Sequence, residues 1–376
     1  MARLLFVAGE YPPDVGGLAD YTLRLREALD RLGCPSDVLT RQGRAEEGGS
    51  PDVYRRVQRW DARALPWLLR LAPRAGIVHI QYQPAAFDLL GDVCLMPLVL
   101  RLVRQHVSVV TTFHDVRVPF LFRKAGPLRW QAVRLLARTS HAVLAADERD
   151  ILALGGPSPR HHQVPIGSNV ACCPPPGYDR AAFRAQLGLG PDDLAIVYFG
   201  LLNASKGLDT LISTVERVAQ RRPATRLLLV GGAVGASDPT DRSTAARARA
   251  ELDRLGGRVL ATGYRAPVEL AAYLLAADVA LLPYLDGASP RRGSLLACAE
   301  HGLPIVSTTP VSPQLADAVR AAPPGDVAGL AEAVLEVASD PALRHRLQRG
   351  ARRLAAATSW EAIAARHVEL YRRLTG

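Results

Sequence analysis

Two cationic stretches hold the residue types best suited to gripping an anion. The first, Gly200 to Asp209, follows a strong apolar run and contains Lys206, one of only two lysines in the chain beside Lys124. Its ammonium offers three donors and a compact charge for a phosphate, with an ordinary surface lysine as the alternative. The second runs from Pro283 to Pro304. It reads as a strand end, a polar loop with Asp286, Arg291 and Arg292, and an apolar helix from near Ser294 to Gly302. Free amides of Gly293, Ser294 and Leu295 would add to the two guanidinium groups and suit a leaving pyrophosphate. Solvated arginines beside a structural helix are the plainer reading.

The first half of the chain offers weaker signals. Gly16 and Gly17 separate a strand-like run from a helical pattern, where backbone amides can approach an anion or simply make a turn. His114 and Asp115 close the run Val107 to Phe113, and His79 lies in the run before Gln81 and Tyr82. A ring nitrogen at a strand's carboxyl end can donate to a sugar or phosphate. His114 is the better candidate, since His79 suits a core role equally well. The glycine loop is not a GxGxxG, the Lys206-Gly207 pair is not a Walker A motif, and GxSxG and HExxH are absent. His161, His162, Cys172 and Cys173 match no zinc spacing, so no metal is expected.

These residues need elements to position them. Strand-length apolar runs at Arg3 to Ala8, Ser36 to Thr40, Ile77 to Ile80, Val107 to Phe113, Ala142 to Ala145 and Gln163 to Ile166 alternate with helical segments. A second series comprises Leu194 to Phe199, Arg226 to Val230, Arg258 to Ala261, Val279 to Pro283 and Pro304 to Ser307. That alternation predicts right-handed crossovers onto parallel sheets, an α/β fold with two Rossmann-like halves. The Pro-rich stretch Cys172 to Tyr178 breaks the pattern. We therefore expect a first domain over residues 1–170, a linker over 171–190, a second domain over 191–357, and a terminal helix over 358–376 that returns to the first domain. Facing sheets would place both sets of carboxyl ends on one interdomain cleft.

Composition narrows the classes. The chain has 376 residues, 48% hydrophobic and 22% charged, which suits two packed domains and excludes a disordered chain. No apolar run reaches a membrane-spanning length, and the N-terminus lacks the pattern of an export signal, so a cytoplasmic protein is expected. Five cysteines imply no disulfide framework. Net charge is +10 with dispersed arginines, which favours anionic ligands; aromatics at 6% supply no stacking platform for nucleic acid.

Taken in order, Pro12-Pro13 with Gly16-Gly17, Thr112 to Asp115, Val164 to Gly167, Gly200 to Gly207, Gly231-Gly232, Gly263-Tyr264, Ala277 to Pro283 and Gly302 to Val306 resemble family 4 of the retaining glycosyltransferases. The resemblance covers nearly the whole chain. It implies the GT-B fold, a UDP- or GDP-sugar donor held by the C-terminal domain without metal, and an acceptor, glycan or lipid-linked, held by the N-terminal one. It also implies that Gly17 approaches the donor, His114 touches the donor sugar, Lys206 meets the diphosphate, Tyr264 lies against the base, and residues 293 to 295 hold phosphate oxygens.

The chain departs from that family at three positions. Leu201 stands where an arginine is usual, and Ser289 and Ala297 stand where two glutamates are usual. Asp286 and Glu300 are the carboxylates placed to replace them, and Arg291 or Arg292 could replace the missing cation. A catalytically silent sugar-nucleotide-binding protein and a nucleotide-sugar epimerase therefore remain open alternatives. Phe120 to Trp130 mixes apolar and basic residues, which suits a loop packed on its own domain or contact with an anionic membrane.

Overall fold

The computed structural model describes residues 3–14, 16–43, 50–116, 118–119, 126–200, 206–231, 252–310 and 312–376. They form two compact units, one ending at Gly167 and completed by Ser359–Gly376, the other spanning Ser168–Thr358. In the first unit strands β1 (Leu4–Ala8), β2 (Ser36–Arg41), β3 (Val53–Val57), β4 (Ile77–Tyr82), β5 (Ser108–Phe113), β6 (Ala142–Ala145) and β7 (His161–Gln163) pair in the order β3-β2-β1-β4-β5-β6-β7. Every pairing is parallel. The central strands are continuous apolar runs because helices cover both faces, so neither side of β1 or β4 meets water.

Helices α1 (Gly17–Arg31), α2 (Leu65–Leu71), α3 (Met96–Val103), α4 (Leu128–Thr139) and α5 (Glu148–Ala153) connect these strands. In the second unit α6 (Arg180–Gln186), α7 (Leu208–Arg221), α8 (Pro267–Ala276), α9 (Gly293–Glu300), α10 (Val327–Ser339) and α11 (Pro341–Ala357) accompany β8 (Leu194–Gly200), β9 (Thr225–Gly231), β10 (Val259–Gly263), β11 (Val279–Leu282), β12 (Ile305–Thr308) and β13 (Val319–Ala322). The order there is β10-β9-β8-β11-β12-β13, again parallel, so both units are Rossmann-like.

Three details differ from the sequence expectation. The last strand of the first unit lies at His161–Gln163, before the expected Gln163 to Ile166, because Pro165 has no N–H for a ladder. The edge strands β3 and β13 carry arginines and lack the apolar run that betrays a central strand. Within the expected linker 171–190, Arg180–Gln186 is a helix packed on α8. Buried Arg184 holds it there, donating to Ala276 O at 2.8 Å and Asp193 O at 2.6 Å and pairing with Asp278.

The terminal helix α12 (Trp360–Thr375) packs on α1 through Ile363, Ala364, Val368 and Tyr371. His79 lies fully buried beneath it, with the Tyr371 hydroxyl 2.6 Å from Nδ1 and the Thr112 hydroxyl 2.7 Å from Nε2. It is therefore a core histidine that fastens α12 to the sheet. His367, equally buried, donates from Nδ1 to Ile363 O at 2.8 Å, and its ring centroid lies 5.6 Å from that of His79.

Burial pushes His79 well down and His367 down to about 4. Both fall below the roughly 6.5 of an unfolded histidine, so below that pH the unfolded chain binds more protons. Stability is fully present above about pH 6.5 and is lost as pH falls toward 4, by about 1.4 kcal/mol per pH unit for each group. Urea unfolding of the full chain at pH 7 and pH 5 should show the loss, and His367→Gln should lessen it. Equal stability at both pH values would refute the buried neutral pair.

Candidate functional site

Strand order in the second unit reverses between β8 and β11, which is where open parallel sheets leave room for a ligand. The chain leaves β8 at Gly200, passes residues 201–205, which with Leu201 lie outside the described residues, and returns at Lys206. Gly200 has φ +136°, and a Cβ there would stand 2.5 Å from Lys206 Nζ and 3.8 Å from Ser294 Cβ. The ammonium thus lies over a bare strand end, beside the start of α9. Gly207 then adopts φ +67° as the residue before α7, with room for a Cβ denied by Pro283 O at 2.0 Å. Two glycines therefore let the loops after β8 and β11 close on one spot.

Desolvation lowers Lys206 to about 8, and the positive charge of Arg292 adds to the shift. Arg292 immediately precedes α9. Its guanidinium lies 4.7 Å over the ring of Tyr284 and forms an ion pair with Asp286. Tyr284 is fully buried, with its hydroxyl 2.7 Å from Ser294 Oγ. Lys206, Arg292 and the first turn of α9 form a single electropositive group built from two loops.

Several sequence expectations need revision. The Leu295 amide is not free, because it donates to Arg292 O at 2.9 Å; the first-turn amides without such a bond are those of Gly293 and Ser294. Asp286 does not stand alone as a spare carboxylate, since Arg292 holds it. Glu300 ends α9, about 10 Å along the axis from Gly293, too far to share the anion-facing turn. Ala297 is buried at 1% exposure, closed off where the family's second glutamate would stand. Ser289 has a structural use: its hydroxyl and carbonyl accept from the Arg291 and Arg292 amides at 3.3 and 3.0 Å. Tyr264 follows β10 and is 81% exposed, available to lie flat against a ring.

In the first unit α1 already has an anion at its N-terminus. Glu10 Oε1 accepts from the Ala19 amide at 3.3 Å, and a Cβ on Gly16 would meet that oxygen at 2.2 Å. The anion expected at Gly16 is therefore the chain's own carboxylate, although Gly17 has open space around it. Burial raises the Glu10 carboxyl, with the α1 amides opposing that shift. His114 sits at the end of β5 and donates from Nε2 to Gln81 Oε1 at 2.7 Å. Desolvation first, then the charge of His367, lowers His114 to about 3. Part of the residue stays accessible, and its ring is neutral at neutral pH. Glu10 and Gln81 had no distinguishing sequence signal beyond lying at strand ends. Among the described residues no group of three or more His, Cys, Asp or Glu is arranged to hold a metal.

Comparison with known proteins places this geometry. The model of glycosyl transferases group 1 matches residues 193–340, and that of the glycosyl transferase 4-like domain matches residues 16–167. The chain belongs to the GT-B glycosyltransferase superfamily. It is 26% identical to a D-inositol 3-phosphate glycosyltransferase of Xylanimonas cellulosilytica, over 96% of this chain and 93% of that one. A glycogen synthase of Mycobacterium tuberculosis is 31% identical over 48% of this chain and 42% of its own length. Among solved structures, Anabaena HepE in complex with UDP aligns with TM-score 0.71 at 18% identity, covering 99% of this chain and 100% of that one. A glycosyltransferase from Rickettsia africae aligns with TM-score 0.72 at 14% identity, covering 99% and 98%. These GT-B likenesses fit the two Rossmann-like units.

The seat of Lys206 can be tested directly because only two lysines need assigning. In carbon-13 dimethyl-lysine spectra the Lys206 signal should titrate near 8, and a midpoint at the ordinary lysine value would show a solvated ammonium. Gly200→Ala should move it upward and cost about 1–3 kcal/mol of stability, since its Cβ takes the ammonium's place at a strained φ.

Proposed function

We propose that this chain is a retaining glycosyltransferase that moves a sugar from a nucleotide-diphosphate donor to an acceptor hydroxyl on a glycan or a lipid-linked molecule. One observation carries the reading: Lys206 is held poor in water beside Arg292 and the free amides of Gly293 and Ser294. A cation so placed gains most when a diphosphate arrives, and more as the departing diphosphate acquires charge. The glycosyltransferase relatives support donor-dependent transfer, and HepE, solved with UDP and with UDP-glucose, supports UDP-glucose as the first donor to try.

The protein's part is electrostatic. Lys206, Arg292 and the α9 amides stabilise the leaving diphosphate as the sugar carbon becomes oxocarbenium-like. A diphosphate oxygen on the same face takes the acceptor proton, which keeps the anomeric configuration. Tyr264, exposed after β10, lies against the base, and Arg291 flanks Arg292 as a replacement for the cation absent at Leu201. His114, neutral and oriented by Gln81, is suited to hydrogen-bond a sugar hydroxyl without adding charge. The first unit binds the acceptor in this reading.

Ser289 and Ala297 favour a second reading, in which the chain binds a sugar nucleotide without turning it over. Incubation with UDP-glucose and an acceptor panel separates the two: released UDP with a glycosylated product supports the transferase, while tight binding with no UDP released supports the silent protein. Lys206→Ala and Arg292→Ala should each lower turnover at least about tenfold, the loss of roughly 1.4 kcal/mol of transition-state stabilisation, with the fold intact by circular dichroism. Affinity for UDP should fall as pH rises through about 8, where Lys206 loses its charge, and Lys206→Ala should abolish that dependence. Unaltered turnover in both variants would overturn their roles.

A further inference from the structure

Helix α3 buries Met96, Pro97 and Leu100 against the first unit, as a surface helix should. Its opposite side is also apolar. Leu95 in the preceding turn is 45% exposed, Leu102 71% and Val103 49%, while Leu98 and Val99 are half-buried between them. Spacings of three, four and seven residues put Leu95, Leu98, Val99 and Leu102 on one helix face. A helix that is hydrophobic all round ordinarily has no side left for water. The neighbouring α4 adds Leu128 at 54% and Trp130 at 39% exposure. Among the described residues five of the eleven exposed large hydrophobic side chains fall on these two adjoining helices and the turn before them, with the α3 stripe from Leu95 to Leu102 on one face.

Charge indicates what covers this face. Helices α3 and α4 contain no acidic residue, and exposed Arg101, Arg134 and Arg138 lie on them among the apolar groups. Apolar side chains flanked by arginine, with a tryptophan that can sit at an interface, match a surface that is oily within and negative outside. No helix among the described residues is long and apolar enough to cross a membrane, so the contact is one of resting on the surface. We propose that the α3–α4 face of the first unit docks on an anionic lipid bilayer. The basic segment at Phe120 to Lys124 lies outside the described residues and contributes nothing to this inference.

The purified full chain should sediment with phosphatidylcholine vesicles containing about 30 mol% phosphatidylglycerol, weakly with phosphatidylcholine alone, and less as salt rises. Arg101→Gln with Arg134→Gln should weaken binding by roughly 25-fold, about fivefold per charge. Leu95→Ser with Leu102→Ser should weaken it at least about tenfold, and these exposed positions should leave circular dichroism unchanged. Because the whole chain is basic, Arg346→Gln with Arg349→Gln on α11 serves as the control and should leave binding intact. Absence of sedimentation at low salt, equal binding to neutral vesicles, or equal loss from the α11 variant would each overturn the proposal. So would a lipid-free dimer that the leucine variant converts to monomer, since a second copy would then cover the face.

Discussion

A lysine ammonium kept short of water is the constraint around which the second unit is built. Holding Lys206 about 8 instead of at its ordinary value costs the charged form on the order of 3 kcal/mol. That cost is tolerable only because its surroundings have been shaped for it. β8 ends on a glycine because its φ of +136° is one that side chains rarely adopt, with the ammonium seated in the space this leaves, and Gly207 turns where Pro283 O leaves no space for a side chain. Helix α9 can begin beside it because Ala297, Cys298 and Ala299 are small enough to be buried as the helix lies against α11. In the proposed function an arriving anion would compensate the hydration missing from Lys206, and the packing of this loop would then serve its use.

The corresponding loop of the first unit has the opposite sign. There β1 also leads to a helix N-terminus, and in an open parallel sheet this is a natural anion seat. Glu10 takes it, bonding to the α1 amide of Ala19 and filling the space beside Gly16. Any phosphate there would have to displace a covalently tethered carboxylate and meet its charge. The two units thus share a strand order and differ in which charge their first loop presents. A fold-level likeness between them says nothing of that difference, which rests on one side chain in each.

The strands that carry a buried apolar run, such as Leu4–Ala8 and Leu194–Gly200, could be read from sequence because neither face meets water. The edge strands Val53–Val57 and Val319–Ala322 could not, since one side of an edge has no packing to record in the pattern. At the site, Lys206 and Arg292 were legible through charge type and position after strands. What they touch was not: Gln81 beside His114, Glu10 at α1 and Ser289 under the Arg291 and Arg292 amides depend on contacts between residues apart in the sequence or on the direction of a single side chain. His79 could be read as core or as ligand until Tyr371, nearly three hundred positions later in sequence, closed its second nitrogen.

The pair Asp286 and Arg292 gives the missing glutamates a physical sense. A glutamate at position 289 would bring a negative charge next to Arg292, whereas Ser289 instead caps the turn and leaves that arginine to Asp286 three residues earlier. Asp286 is mostly exposed, so its pairing is weakened by solvent and can yield, while Arg292 is held from below by the Tyr284 ring. In the proposed function an arriving diphosphate would compete for the guanidinium with a partner that water can readily replace. The arginine would then keep its place over the aromatic ring, and only on release from it would the Asp286 carboxylate become available to another partner.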